Sequence, residues 1–222
     1  MPEKIQQPRP RPGARENLLE ASFVLIREQG YSATSVDELC AKAGVSKGAF
    51  FHHFQSKDAL ALAALDRWSE LSMALFQGAP YHKLRDPLDR LLGYLDFRKA
   101  LVKGEVAEFT CLAGTIVQEA YGTHAELREA CDASISGQAA TLEADIAEAM
   151  KLYGVRAKWS AQSLALYTQA VLQGSFILAK AKDSPDVAVA SIDHLRRYIE
   201  LLFLTGEPSI PPTRRPAHTK EK

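Results

Sequence analysis

Between Ser46 and Lys57 the chain gathers Lys47, Gly48, Ala49, Phe51, His52 and His53, with no acidic residue among them. If Ser46 caps a short helix there, the first turn offers free amides and the positive end of the helix dipole beside a lysine. That combination attracts phosphate. Lys47 is also long enough to reach guanine edges, Ala49 is small enough to approach a thymine methyl, and His52 projects one turn later. Phe50 and Phe54, four residues apart, are expected on the inward side. The chemistry open to this set is recognition of duplex DNA, in which phosphate contacts position and base contacts specify.

Such a tip needs a support that presents it. Ser35 and Glu38 have the spacing of a capping box that starts a helix, and Gly44 can take the left-handed conformation that ends it. Val45 then turns inward, and Ser46 caps a second helix from Lys47 to about Phe54. Two short helices about a glycine turn make a helix-turn-helix, the second being the recognition helix. An earlier helix from about Ala14 to Gln29 carries Leu18, Ala21, Ser22, Leu25 and Ile26 at helical spacing and stops at Gly30.

The flanking residues narrow the motif further. Arg15, Leu18, Leu19, Ala21, Leu25, Ile26, Gly30 and Tyr31 precede it; Thr34, Ser35, the run Ala43-Gly44-Val45-Ser46-Lys47-Gly48, His53-Phe54, Lys57 and Leu60 continue it. Over residues 14 to 65 this resembles the N-terminal domain of the tetracycline-repressor (TetR) family of bacterial transcriptional regulators. The resemblance implies a homodimeric regulator, most simply a repressor, that binds a palindromic DNA operator and is released by a small-molecule effector held in its C-terminal body. It assigns Ser35 and Lys57 to phosphates, Asp37 to a base or positioning contact, and Arg9 and Arg11 to the neighbouring minor groove. One position departs from the pattern. Where such regulators usually carry a tyrosine whose hydroxyl meets a phosphate, this chain has Phe51, so His52, His53 or Lys57 would share that contact.

Beyond the head, Ser56 can cap a fourth helix along Leu60, Ala64, Trp68, Leu71 and Leu75, long enough to link head to body. Further helices are expected from Asp86-Pro87 to about Val102, across FTCLAGTIVQEAYG, from a Thr123/Glu126 capping box to Gly154, from about Ser160 to Lys182, and from Ser184-Pro185 to about Leu204. The expected fold is all-α with nine helices. It divides into a flexible basic arm over 1–13, a DNA-binding head over 14–60, a ligand-binding and dimerisation domain over 61–204, and a disordered tail over 205–222.

In the body, Trp68, Phe97, Phe109, Gln118, Tyr167, Gln173 and Phe176 are the aromatic and amide side chains suited to a ligand pocket, and each also suits ordinary core. Cys111 is either a thiol activated at a helix N-terminus or a small buried hydrophobe like Cys40 and Cys131. Some TetR-like regulators sense electrophiles or oxidants through a cysteine near this place, so a thiol sensor on the same scaffold is one alternative. Ala170 and Gly174, with the stripe Ala188, Ile192, Leu195, Ile199 and Leu202, could pack within one subunit or against a second copy; the resemblance favours the second copy.

The whole-chain charge is balanced, 27 basic against 27 acidic residues, so any nucleic-acid signal is local. Three cysteines without a CxxC pair suggest a reducing cytoplasm, and the proline-rich start has no signal-peptide core. No run approaches a membrane span. No phosphate loop, nucleophile elbow, dinucleotide fingerprint or zinc motif occurs, so neither catalysis nor a cofactor or metal is expected. A helical enzyme or protein-interaction adaptor is the alternative from another class.

Overall fold

In the computed structural model, which describes residues 13–204 and side chains as far as Phe203, helix α1 (Ala14–Gln29) buries Leu18, Leu19, Phe23 and Ile26 along one face. Helix α2 (Val36–Ala43) opens on the expected capping box: the Glu38 amide donates to Ser35 Oγ (3.2 Å), and the Ser35 amide donates to the Glu38 carboxylate (2.8 Å). Gly44 closes it at φ 66°, ψ 35°, a left-handed conformation that would strain any side chain. Ser46 accepts from the Ala49 amide (3.1 Å) and starts α3 (Lys47–His53); Ser56 accepts from Ala59 (3.0 Å) and starts α4 (Lys57–Gln77). Arg9, Arg11 and the tail beyond 204 lie outside the described residues.

A 3-10 turn over Pro80–Lys83 leads to α5 (Pro87–Ala100). Then come α6 (Val106–Phe109), α7 (Leu112–Ala120), α8 (Ala125–Leu152), α9 (Ala161–Lys182) and α10 (Asp186–Leu204). The described residues thus hold ten α-helices and no strand, one helix more than expected. The addition is α6, a single turn held by reciprocal bonds between Glu105 and Glu108, too short for apolar periodicity to reveal. The Thr123/Glu126 capping box does not form. Helix α8 begins after His124 without a side-chain cap, and the Thr123 hydroxyl pairs instead with the His124 ring (2.8 Å).

Two cores result. The body core joins Phe76, Leu91, Tyr94, Leu95, Ile146, Leu172 and Phe176 to Ala188, Ile192, Leu195, Ile199 and Phe203. Four of the five α10 residues expected at a subunit interface are therefore interior packing: Ala188, Ile192, Leu195 and Ile199 are each at most 2% exposed, and Leu202 is half-buried against the same core. The head core extends past residue 60, taking in Leu112 and Ile116 of α7 and Leu127 and Cys131 of α8. Head and body meet along α7, and Cys111, which caps it, touches both cores. No helix among the described residues is long and apolar enough to cross a membrane.

Candidate functional site

The tip of α3 is open to solvent. Lys47, Gly48, Phe51, His52 and His53 are exposed beyond the Ser46 cap, Ala49 is half-buried, and Phe50 and Phe54 turn inward as expected. The His52 and His53 rings pack edge-on at 4.9 Å, and Phe51 stands edge-on to Phe50. Lys47 Nζ lies 2.8 Å from the Asp37 carboxylate, an ion pair between α3 and α2 that raises the lysine pKa, through the hydrogen bond first and the charge second. Both partners are exposed, so the pair stabilises little and can exchange for phosphate.

Two of the expected phosphate contacts are already engaged. The Ser35 hydroxyl accepts the Glu38 amide and donates to the Glu38 carboxylate (2.8 Å), and the Ser35 amide first, this hydroxyl second, hold that carboxyl below its usual range. Lys57 donates to the carbonyls of Tyr31 (3.0 Å), Thr34 (3.0 Å) and Ser32 (3.5 Å) and lies over the Tyr31 ring. It pins the α1–α2 loop to α4 rather than projecting outward. The sequence could not separate these roles, because a lysine at a helix start serves either.

In the body, Trp68, Phe109, Cys111, Gln173 and Phe176 come together as expected around a cavity of about 50 Å³. Gly114 of α7 lies against the end of the Gln173 side chain of α9, which would have to swing aside for a Cβ there. Three expected lining residues lie elsewhere. Phe97 packs on Phe76 and Tyr81; Gln118 is exposed and donates to the Gly114 carbonyl (2.6 Å); Tyr167 is on the outer face of α9, its ring tilted against that of Tyr198. The sequence reading missed Ser72, Arg98, Thr110, Ser134, Gln138 and Gln169. Arg98 follows Tyr94 by one helical turn and donates to its hydroxyl (2.9 Å), a spacing visible in the sequence. Outside the cavity, an open groove of about 240 Å³ runs between α4, α5 and α6, sharing Trp68, Ser72, Arg98, Phe109 and Phe176 with it.

One head residue touches both walls of this space. The Arg27 guanidinium of α1 lies 4.8 Å over the Trp68 ring and donates to the Glu108 carbonyl (2.8 Å), next to Phe109. Burial lowers its pKa, which neighbouring negative charges oppose only in part. Cys111 accepts the Gly114 amide (3.4 Å) at the start of α7 and stands within electrostatic reach of Arg27 and Lys180. Cys40 and Cys131 are interior; burial raises both thiols, Cys131 to about 12.

A capped helix-turn-helix with a basic, exposed tip, mounted on a helical body with its own cavity, defines a two-part DNA-binding regulator. A family model described as "Bacterial regulatory proteins, tetR family" matches residues 18–64, and another described as "Tetracyclin repressor-like, C-terminal domain" matches residues 87–195. The chain belongs to the TetR family. It is 39% identical over 59 residues to the HTH-type transcriptional regulator YerO of Bacillus subtilis, covering 27% of this chain and 20% of that protein. It is 29% identical over 124 residues to the transcriptional regulator AcuR of Cereibacter sphaeroides, covering 54% and 57%. The chain thus spans about half of AcuR's length and less of YerO's. A cysteine mutant of the TetR family regulator CifR, solved with 26-base-pair operator DNA, superposes with a TM-score of 0.70 at 17% identity, covering 85% of this chain and 98% of that one; this likeness is one of fold. These relatives are transcriptional regulators, not enzymes, and the enzyme alternative is set aside.

Proposed function

We propose that the chain is a homodimeric transcriptional repressor of the cytoplasm that binds a palindromic operator through α3 and releases it when a small molecule occupies the body cavity. The observation that carries this reading is Arg27. A head residue rests on Trp68 and on the Glu108 carbonyl, so an occupant that shifts Trp68 or Phe109 must disturb α1 as well. The switch is then a population shift, with an effector that prefers the arrangement in which the two heads no longer match the operator.

Base and phosphate contacts fall to Lys47, Gly48, Ala49, His52 and His53, with Asp37 releasing Lys47 on contact. Phe51 adds only apolar area. Dimerisation is needed because one α3 reads one half-site, and half-sites lie one helical turn or a multiple apart. Support for it comes from the outer face of α9, where Leu166, Tyr167, Ala170, Gly174, Ile177 and Leu178 form an open stripe continued by Tyr198 of α10. Ala170 and Gly174 remain part of the interface; Ala188, Ile192, Leu195 and Ile199 of α10 do not.

Genome-wide recovery of bound DNA tests the reading. Enrichment of one palindrome, with Arg27→Met still binding it but no longer releasing it on effector addition, is the expected result. Uniform recovery without a motif would remove the operator from the account.

A second reading keeps the scaffold and changes the signal: Cys111 as a thiol sensor. It is favoured by one observation, that the half-exposed thiol lines the cavity while the other two cysteines are buried.

A further inference from the structure

We infer that the effector is a monocarboxylate with an apolar body, its head group in the inner cavity and its body along the α4–α5 groove; this rests on reading the cavity as the effector site. The inner cavity has Arg98 as its one cation and no Asp or Glu among its lining residues. Arg98 Nε is occupied by the Tyr94 hydroxyl (2.9 Å), which also accepts from Gln169 (3.2 Å), and the guanidinium lies 4.2 Å over the Phe76 ring. The group is therefore held in place, and its two terminal nitrogens have no hydrogen-bond partner among the described residues.

Two further lining side chains are buried without partners: Thr110 Oγ1, on a residue 1% exposed, and both amide atoms of Gln138, 9% exposed. Buried donors left unpaired are costly, so a ligand that accepts from Gln138 Nε2 and Thr110 Oγ1 gains affinity from groups the protein itself leaves unsatisfied. A planar carboxylate matches the paired donors of a guanidinium, while Gln138 and Thr110 can donate to its remaining lone pairs. A neutral amide leaves the Arg98 charge uncompensated, and an amine meets repulsion.

Size and polarity place the rest of the molecule. A cavity of about 50 Å³ holds a head group and little more. Leu71, Leu75 and Leu101 are all exposed and all line the groove outside, so an apolar body there removes three leucines from water. Glu108 also lines that groove, its carboxylate taking the Glu105 amide (2.8 Å), and it disfavours a second anionic group. The ligand is thus a monoacid rather than a diacid.

Isothermal titration of the full chain at pH 7 with octanoate, octanamide and octylamine tests this. The acid should bind at least about tenfold more tightly than the amide, equivalent to roughly 1.4 kcal/mol, and the amine more weakly still. Arg98→Gln should bring acid and amide to equal affinity. If losing the Phe76 contact unfolds that variant, Gln138→Glu keeps Arg98, adds a competing carboxylate and should abolish octanoate binding. Equal affinity for acid and amide in the unmodified protein, or preference for the amine, overturns the carboxylate assignment and leaves the cavity an effector site. No binding by any of the three likewise overturns the carboxylate assignment, while the effector reading stands or falls on operator release.

Discussion

Replacing Ile177 by glutamate distinguishes the two faces of α9. Ile177 is 47% exposed on the outer stripe, beside Leu178 at 48%. If the partner subunit covers that stripe, the remaining half of the isoleucine is buried in the dimer. Full burial of such a side chain is worth about 1.5–3 kcal/mol, so the lost apolar contact is about 1 kcal/mol per copy. An unpaired polar group pressed into the interface adds about 1–3 kcal/mol. A two-fold interface contains the change twice, giving roughly 4–8 kcal/mol, or three to six orders of magnitude in the dimer dissociation constant. Sedimentation velocity over a concentration series should show a monomer, with circular dichroism reporting unchanged helicity. Leu195→Glu is the contrast. At 2% exposure it places a carboxylate in the body core, so it should unfold the protomer rather than dissociate the dimer. A dimer of normal affinity from Ile177→Glu, or a folded monomer from Leu195→Glu, would refute the assignment of faces.

The DNA face yields two further expectations. Lys47→Ala should weaken operator binding and reduce its salt slope by about one if the contact is to phosphate, or relax one operator position by roughly 1–3 kcal/mol if it is to a base; anisotropy titrations at several salt concentrations separate the two. Phe51→Tyr restores a hydroxyl on a ring already 52% exposed and should tighten operator binding by roughly 0.5–1.5 kcal/mol by gel shift. For the thiols, mass spectrometry during alkylation at pH 8 should find Cys111 modified well before Cys131, whose thiol is pushed up to about 12, and before buried Cys40. Equal rates would contradict the placement of all three.

The head was legible because its determinants are local. Ser35 with Glu38, Gly44 and Ser46 define helix ends within a few residues of themselves, and each cap forms where its spacing indicates. The body was legible as helices but not as faces. Ile192, Leu195 and Ile199 form the same stripe whether they pack inward or against a second copy, and only the position of α5 beside α10 decides it. Tyr167 and Phe176 show the same limit within one helix: both are aromatic, nine residues apart, yet one lies on the outer face and the other lines the cavity. The α4 stripe changes surroundings along its length. Leu60 and Ala64 are buried in the head, whereas Leu71 and Leu75 emerge to line the open groove. Gln138 and Thr110 gave no periodic signal, since a buried polar residue interrupts the apolar pattern that sequence reasoning follows.

The shared core changes how such a regulator can switch. If the head were an independent unit on a hinge, an effector would need only to tilt α4. Here Leu112 and Ile116 of α7 belong to the head core, the same helix begins at Cys111 on the cavity wall, and the Ser32 amide in the turn after α1 donates to the Glu119 carboxylate of α7 (2.7 Å). Arg27 adds a link to α6 and Trp68. Packed cores move between discrete arrangements rather than deforming continuously. A displacement of Phe109 or Trp68 therefore reaches the head along two routes, through Arg27 and through α7, and both end on α1. Helix α1 packs against α2, α3 and α4, so under the proposed reading it is the element through which an occupant of the cavity would move the α3 tip.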